Sequence, residues 1–464
     1  MRRPTGRLAL VLFCCGVYVL LSSATLATYV MPRADNDQVP LAERIRSPKF
    51  GDSYGYGKYA AGILQHGALR DIDGKPVLKH MPGLPLLVAL TFKTFGSVRP
   101  LLVFQVLFLF VSLYFFLLKV RDGFPAAAVM ATPIIIALHP STIKHSSGVM
   151  TDLFFGSSLL WAALLLWKKQ PTTRDFCAVG AVFGLAVYLR ESALPLMMMT
   201  GLAYLIKDRR IYFTRVALMI CVAMAMLSPW AIRNHRLTHE LIPLTTKSSD
   251  LFYYYSIPLT RDVYDPLGAG FQESGYDYEK SYEIYDQEVQ RWAGGASEPG
   301  RIVSPGRSEP FEPREPAKPL KEVYNSWADR PLPDSPIREG LWNYYSRPTE
   351  QLSSLLLKTA AFFNKPAVLA DLAGTSFSAL LVAGNIVFYA FHIGIILLGV
   401  VLSFRAKDNP FVFLPYWIVA MYIQALLFWS EERYLMPFYP FLVLIALSWY
   451  SRRWQAERNT PLPS

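Results

Sequence analysis

Apolar stretches recur along almost the whole of this chain, and that pattern removes most folds from consideration. Runs with few charges are read at Leu8–Val30, Pro100–Leu118, Pro125–His139, Asp152–Trp167, Phe176–Leu189, Ser192–Ile206, Ile211–Trp230, Ser376–Phe404, Phe411–Trp429 and Tyr434–Tyr450. With 52% of the 464 residues hydrophobic and the runs spread from end to end, the expectation is an integral membrane protein. In a bilayer the backbone has to satisfy its own polar groups, so spans of this kind are helices. The expected fold class is therefore all-α and polytopic, with about ten transmembrane helices. Several runs are shorter than the roughly 20 residues of a perpendicular span, which leaves their ends soft.

Net charge tests the topology. Ten spans put both termini on one side, and that side holds 17 of the 46 Lys and Arg but only 5 of the 35 Asp and Glu. The rest of the chain holds 29 basic and 30 acidic residues. The whole excess of +11 thus lies on one face, which the positive-inside rule makes cytoplasmic. It reports orientation and contact with anionic lipid, and it excludes nucleic acid as the partner. Cys14, Cys15, Cys177 and Cys221 all fall inside apolar runs, so neither a disulfide framework nor a cysteine metal site is expected. The first run has the basic start of a signal peptide, but its apolar stretch exceeds the usual 7 to 15 residues, which favours a retained helix.

Three regions are expected: an N-terminal transmembrane module over 1–232, an external, partly irregular region over 233–371, and C-terminal transmembrane helices over 372–464. Within the first, the external loop 31–99 is patterned. Tyr56, Tyr59, Ala60, Ile63 and Leu64 follow helical spacing after Asp52, which predicts an amphipathic helix on the membrane surface. The apolar piece Pro82–Gly96 is short for a span and is expected to be interfacial or re-entrant. The Pro-dense stretch Ser304–Pro336 reads as loop, and Gln351–Phe363 as an amphipathic return to the membrane surface.

This topology brings ionisable residues from distant segments to one membrane face: Asp52, Lys79, His80, Lys144, His145, Asp152, Arg190, Arg233 and Arg433 among them. Charges near hydrocarbon are costly, so such a gathering points to function. Asp52 reads both as a helix cap and as a general base for an acceptor hydroxyl. Asp152 opens a helix and reads as a cap or as a site residue beside Lys144 and His145. Lys79 and His80 precede a Pro-Gly-Leu-Pro turn, and a neutral His there binds either phosphate or a divalent metal, with Asp152 as a further possible metal ligand. Arg190 with Glu191 reads as an ion pair at a hairpin tip. Arg233 and Arg433 suit phosphate through their planar forks, or lipid headgroups by snorkelling.

Taken in order, Asp52-Ser-Tyr, His80-Met-Pro-Gly-Leu-Pro-Leu-Leu, Met150-Thr-Asp152, Ala186-Val-Tyr-Leu-Arg190, Pro229-Trp-Ala-Ile-Arg-Asn234 and Glu432-Arg-Tyr-Leu-Met-Pro437 resemble the polytopic GT-C glycosyltransferases. The similarity is to the branch with protein O-mannosyltransferases and lipid A aminoarabinose transferases. The resemblance implies a GT-C-like helical bundle in a bacterial plasma membrane, with cytoplasmic termini and an external active site. It implies inverting transfer from a polyprenyl-phosphate-linked sugar to a hydroxyl on a glycan, lipid or protein. Asp52 matches the family's acidic residue of the first external loop, which would be the base, and Asp152 a second acidic position. Lys79 or His80 falls where relatives carry basic or metal-binding residues, while Arg233 and Arg433 match arginines that would hold the donor phosphate. The acid that some relatives carry in the His80 turn is absent, so no certain cofactor is implied and a divalent metal is an open expectation.

Two other readings share features of the pattern. A transporter or flippase is also polytopic, yet its binding residues lie near midplane on broken helices, often with internal repeats; here the charges gather at one face. A polysaccharide polymerase or ligase would share the substrate class, but an acid at position 52 is not expected of it.

Overall fold

The computed structural model describes residues 51–71, 74, 76–139, 142, 145–146, 148–239, 242–245, 336–346, 348–363, 379–405, 411–427 and 434–459. Among the described residues the chain is helical, with a single isolated bridge between Arg70 and Pro76. The helices are α1 (Gly51–His66), α2 (Gly83–Phe95), α3 (Arg99–Val120), α4 (Ala126–Leu138), α5 (Asp152–Leu166), α6 (Thr173–Leu189) and α7 (Ala193–Lys207). They continue with α8 (Arg209–Thr238), α9 (Pro336–Ser346), α10 (Pro348–Phe363), α11 (Ala379–Arg405), α12 (Leu414–Leu427) and α13 (Tyr439–Asn459).

The first expected run, Leu8–Val30, lies outside the described residues, and seven of the others coincide with a helix to within about three residues at each end. Two helices run on past their expected ends: α13 starts at Tyr439 and continues to Asn459, and α8 continues through Thr238 and so carries Arg233 and Asn234 on the helix rather than beyond its end. Among the described residues, two segments are long and apolar enough to cross a bilayer: Arg99–Gly123, with mean hydropathy 2.6, and Arg209–Thr238, with 1.9. The 13 residues of α2, like the 13 of α4, rise only about 20 Å, short of the roughly 30 Å hydrocarbon core.

Local chemistry sets several helix ends. Thr172 and Asp175 form a reciprocal capping box at the start of α6, and Lys168 Nζ donates to the same carboxylate at 2.6 Å. Asp208 caps α8 by accepting from the backbone of Arg210 and Ile211. Both caps lie at the end expected to be cytoplasmic.

Small residues let the helices approach. A Cβ on Gly180 of α6 would stand 2.3 Å from the carbonyl oxygen of Met219 on α8, and one on Gly399 of α11 would stand 2.4 Å from that of Leu442 on α13. The shared core holds Phe116, Phe155, Phe183, Trp417 and Phe441, all fully buried. Trp417 satisfies its indole N–H on Thr200 Oγ1 at 2.8 Å and the Leu196 carbonyl at 3.1 Å, which ties α12 to α7. On α3, Phe104, Leu107, Val111, Phe115 and Leu118 form an exposed apolar stripe behind the buried Val106, Leu109, Leu113 and Phe116. A helix apolar on both faces belongs in lipid.

Candidate active site

The expected surface helix α1 buries Tyr56, Tyr59 and Ala60. Those tyrosines flank His80, whose ring lies 5.2 Å from Tyr56 and 5.6 Å from Tyr59 and is nearly inaccessible. Lys58 pairs with Asp71 at 3.7 Å where α1 meets the returning loop. Gly62 makes that approach possible, because a Cβ there would lie 2.2 Å from the carbonyl oxygen of Arg70. Gly83 does the same at the start of α2: its Cβ would stand 2.4 Å from the carbonyl oxygen of Tyr188, so the His80 turn is seated on the end of α6. Tyr56 and Leu84 then share an apolar cluster with Val149, Phe154 and Leu189. The first loop, the loop before α5 and the end of α6 thus meet at one end of the bundle. Asp52 holds the register position one turn before Tyr56 on α1, and its carboxylate lies outside the described residues.

Asp152 is the first residue of α5, Thr151 being the cap, and its buried carboxylate forms an ion pair with the Arg190 guanidinium. The hairpin-tip arginine therefore reaches across to α5. Its guanidinium also lies 4.8 Å from the Tyr434 ring and 5.6 Å from that of Phe155. Breaking one side of a buried pair strands a charge and costs about 3–5 kcal/mol, far more than a surface pair. Glu191 accepts from Thr245 Oγ1 at 2.5 Å, and Ser192 from Gln424 Nε2 at 3.0 Å. A cavity of about 10 Å³, room for one water, lies between Asp152, Thr142, Leu109 and Pro437.

Arg233 is engaged with the first loop. Its NH1 donates to the Val77 carbonyl at 2.9 Å and to Asn234 Oδ1 at 2.9 Å, and its NH2 donates to the Leu69 carbonyl at 2.8 Å, while the fork lies 4.6 Å from the Trp230 ring centre. Trp230 and Asn234 in turn bond the Leu244 and Ile242 carbonyls beyond α8. The Trp-Ala-Ile-Arg-Asn motif is thus a junction between two loops.

The structure gathers His80, Asp152, Arg190 and the backbone of Asp52 at this end, with Lys79 half-buried beside His80. His145 is buried in the loop before α5. Lys144 and Arg433 lie outside the described residues, although Tyr434, directly after Arg433, packs on Arg190. Among the described residues no group of three or more His, Cys, Asp or Glu is placed to hold a metal ion. His80 stands against the tyrosine rings and Asp152 against Arg190.

Residues not singled out from sequence also shape the site. Gln105, wholly buried on α3, donates to the Ser146 and Gly148 carbonyls at 2.9 and 3.1 Å and so anchors the loop that leads to Asp152. Gln424 does similar work from α12. Their signal is an amide inside an otherwise apolar helix, where polar groups are costly. The Lys58–Asp71 pair carries no such signal, because charges in an external loop are ordinary.

No family model and no curated protein matches the chain. Among solved structures, the archaeal oligosaccharyltransferase AglB from Archaeoglobus fulgidus, in complex with an inhibitory peptide and a dolichol-phosphate, superposes with a TM-score of 0.50 at 15% identity. The match covers 98% of this chain and 52% of that one, so the chain spans about half the length of AglB. ArnT from Cupriavidus metallidurans, bound to undecaprenyl phosphate, gives a TM-score of 0.40 at 13% identity over 99% of this chain and 82% of that one. The likeness to AglB is one of fold: the helical bundle of this chain shares the architecture of that membrane protein over nearly its whole length.

Proposed function

We propose that this protein is a membrane glycosyltransferase that moves a sugar, with inversion, from a polyprenyl-phosphate donor to a hydroxyl of a glycan, lipid or protein acceptor. The observation that carries the reading is the convergence at one end of a GT-C bundle. There the helix bearing Asp52, the His80 turn and the buried Asp152–Arg190 pair meet, held by the Arg233 junction. The fold relative AglB was solved with a lipid phosphate, dolichol-phosphate, and a ligand of that chemistry fits a site rich in cationic side chains at the end of a membrane bundle.

The chemistry needs few groups. Asp52 takes the proton from the acceptor hydroxyl as its oxygen forms the new bond to the anomeric carbon. The bond to the donor phosphate breaks on the opposite face, which inverts the centre and releases polyprenyl phosphate. Lys79, Lys144, Arg190 and Arg433 offset the charge that develops on that phosphate, with Arg190 held in place by Asp152. His80 and His145, both buried, and Arg233, held on loop carbonyls, support that face from behind. Phosphate is a good leaving group, so no strong general acid is required. We place the site on the external side of a bacterial plasma membrane, with both termini cytoplasmic.

The test uses purified full-length protein in vesicles, a panel of polyprenyl-phosphate sugars, and Asp52→Asn beside the parent. Loss of the base predicts a fall of about 10²–10⁴ in transfer rate. A folded Asp52→Asn protein that transfers sugar at the parental rate removes Asp52 from the mechanism.

A further inference from the structure

Helix α10 is built inside out. Its inward stripe is polar: Gln351, Ser354 and Lys358 are 4%, 0% and 1% exposed. Its outward stripe carries Leu352 and Leu356, which are 61% and 65% exposed. Protein groups meet several of the polar atoms on this side. Lys358 Nζ donates to the Leu426 carbonyl at 2.8 Å and lies 6.0 Å from the Tyr344 ring, Gln351 Nε2 donates to the Asn343 carbonyl at 3.2 Å, and Thr359 bonds the Tyr422 hydroxyl at 2.8 Å.

A helix lying on a protein in water turns the other way, leucines in and lysine out. Burying one leucine gains about 1.5–3 kcal/mol, whereas taking an ammonium out of water costs several. The observed order is stable where the surroundings beyond the outward face are themselves apolar. Neighbouring surfaces agree. α10 packs against α12, which itself carries an exposed apolar row of Val419, Ile423 and Leu427. Lys358 and Thr359, adjacent on α10, reach Leu426 and Tyr422, which lie one turn apart on α12, so the second half of α10 is docked on the last turns of that apolar helix. Before it, α9 carries Trp342, Tyr344 and Tyr345, the amphipathic aromatics typical of the headgroup layer.

We infer that α9 and α10 form a hairpin dipped into the outer leaflet, with the Leu352–Leu356 face covered by lipid acyl chains and the Gln351–Ser354–Lys358 stripe turned to the protein. This extends the expectation that Gln351–Phe363 returns the chain to the membrane surface by assigning which side of the helix faces lipid. The inference rests on α12 being a membrane helix and is independent of the transfer reaction.

The test labels single cysteines, Leu352→Cys and Leu356→Cys, with an environment-sensitive fluorophore in full-length protein whose four native cysteines are replaced. Arg338→Cys, on the exposed start of α9, is the comparator. The protein is reconstituted in phosphatidylcholine vesicles without donor or acceptor, so the outcome does not depend on enzymatic activity. Lipids brominated on their acyl chains should quench the labels at 352 and 356 severalfold more than that at 338, and aqueous iodide the reverse. Stronger quenching by iodide at 352 and 356 means a water-facing helix and overturns the inference. Access by neither quencher means a second copy or another segment of this chain covers the face, and overturns it equally. If one cysteine variant fails to fold, the other carries the measurement.

Discussion

The Arg233 junction makes a prediction whose size follows from its geometry. Replacing Arg233 by Met keeps a stem against Trp230 but removes the two N–H bonds to the Leu69 and Val77 carbonyls. A hydrogen bond from a charged donor contributes about 1.5–3 kcal/mol, so the loop loses roughly 3–6 kcal/mol of local stability. At about 1.4 kcal/mol per factor of ten, the loop's open state becomes some 10²–10⁴ times more populated. The Val77 amide donates to the Leu69 carbonyl at 3.2 Å across the same turn, so its exchange with deuterated solvent reads that opening directly. Hydrogen exchange of a peptide spanning 69–78 should accelerate by that factor in Arg233→Met and by less in Arg233→Lys, which can still reach one carbonyl. Helices α6 and α8 should exchange as in the parent. Parental exchange at Val77 in a folded Arg233→Met protein refutes the junction and leaves the arginine to the donor phosphate alone.

Further outcomes follow from other contacts. Asp152→Asn and Arg190→Met should each lower unfolding stability by about 3–5 kcal/mol, and the double variant by clearly less than their sum, in a denaturation cycle; strict additivity argues against the pair. Gly180→Ala should destabilise by about 1–3 kcal/mol or more, since its methyl meets the backbone of Met219 rather than a movable side chain; an unchanged melting temperature contradicts that close approach. Burial pushes the Asp175 carboxyl up, but the bonds from Lys168 and from the Thr172 backbone and hydroxyl outweigh it and hold it below the ordinary 3.8. A depressed carboxyl stabilises above its unfolded value, so the stability gap between parent and Asp175→Asn should be full at pH 7. It should close as pH falls below about 4.

The helices were legible because the apolar runs are long and their breaks are marked by charge and by Pro, whereas the caps at Thr172 and Asp208 came only with the fold. The gathering of His80, Asp152 and Arg190 was legible too, through sidedness, since residues at successive helix ends on one face of a bundle have little choice but to meet. What each side chain does there was not. Nothing in the local sequence tells that Arg190 reaches Asp152 rather than its neighbour Glu191, because the pairing is set by how α5 and α6 cross. Arg233 shows the same limit from the other side. Its motif marked importance, yet only the fold reveals that its fork is occupied by loop carbonyls. The polarity of α10 was visible in the sequence, but which side faces the protein depends on the solvent around it, and spacing alone does not name the solvent.

The two glycines that seat the first loop also limit which sequences this fold accepts. Gly62 lets α1 meet the Arg70–Asp71 segment, and Gly83 lets the His80 turn meet α6, both at distances that leave no room for a methyl. Even alanine at either position has to push backbone aside, so these two seams, and not only the ionisable residues, fix how far the sequence of the first loop can drift.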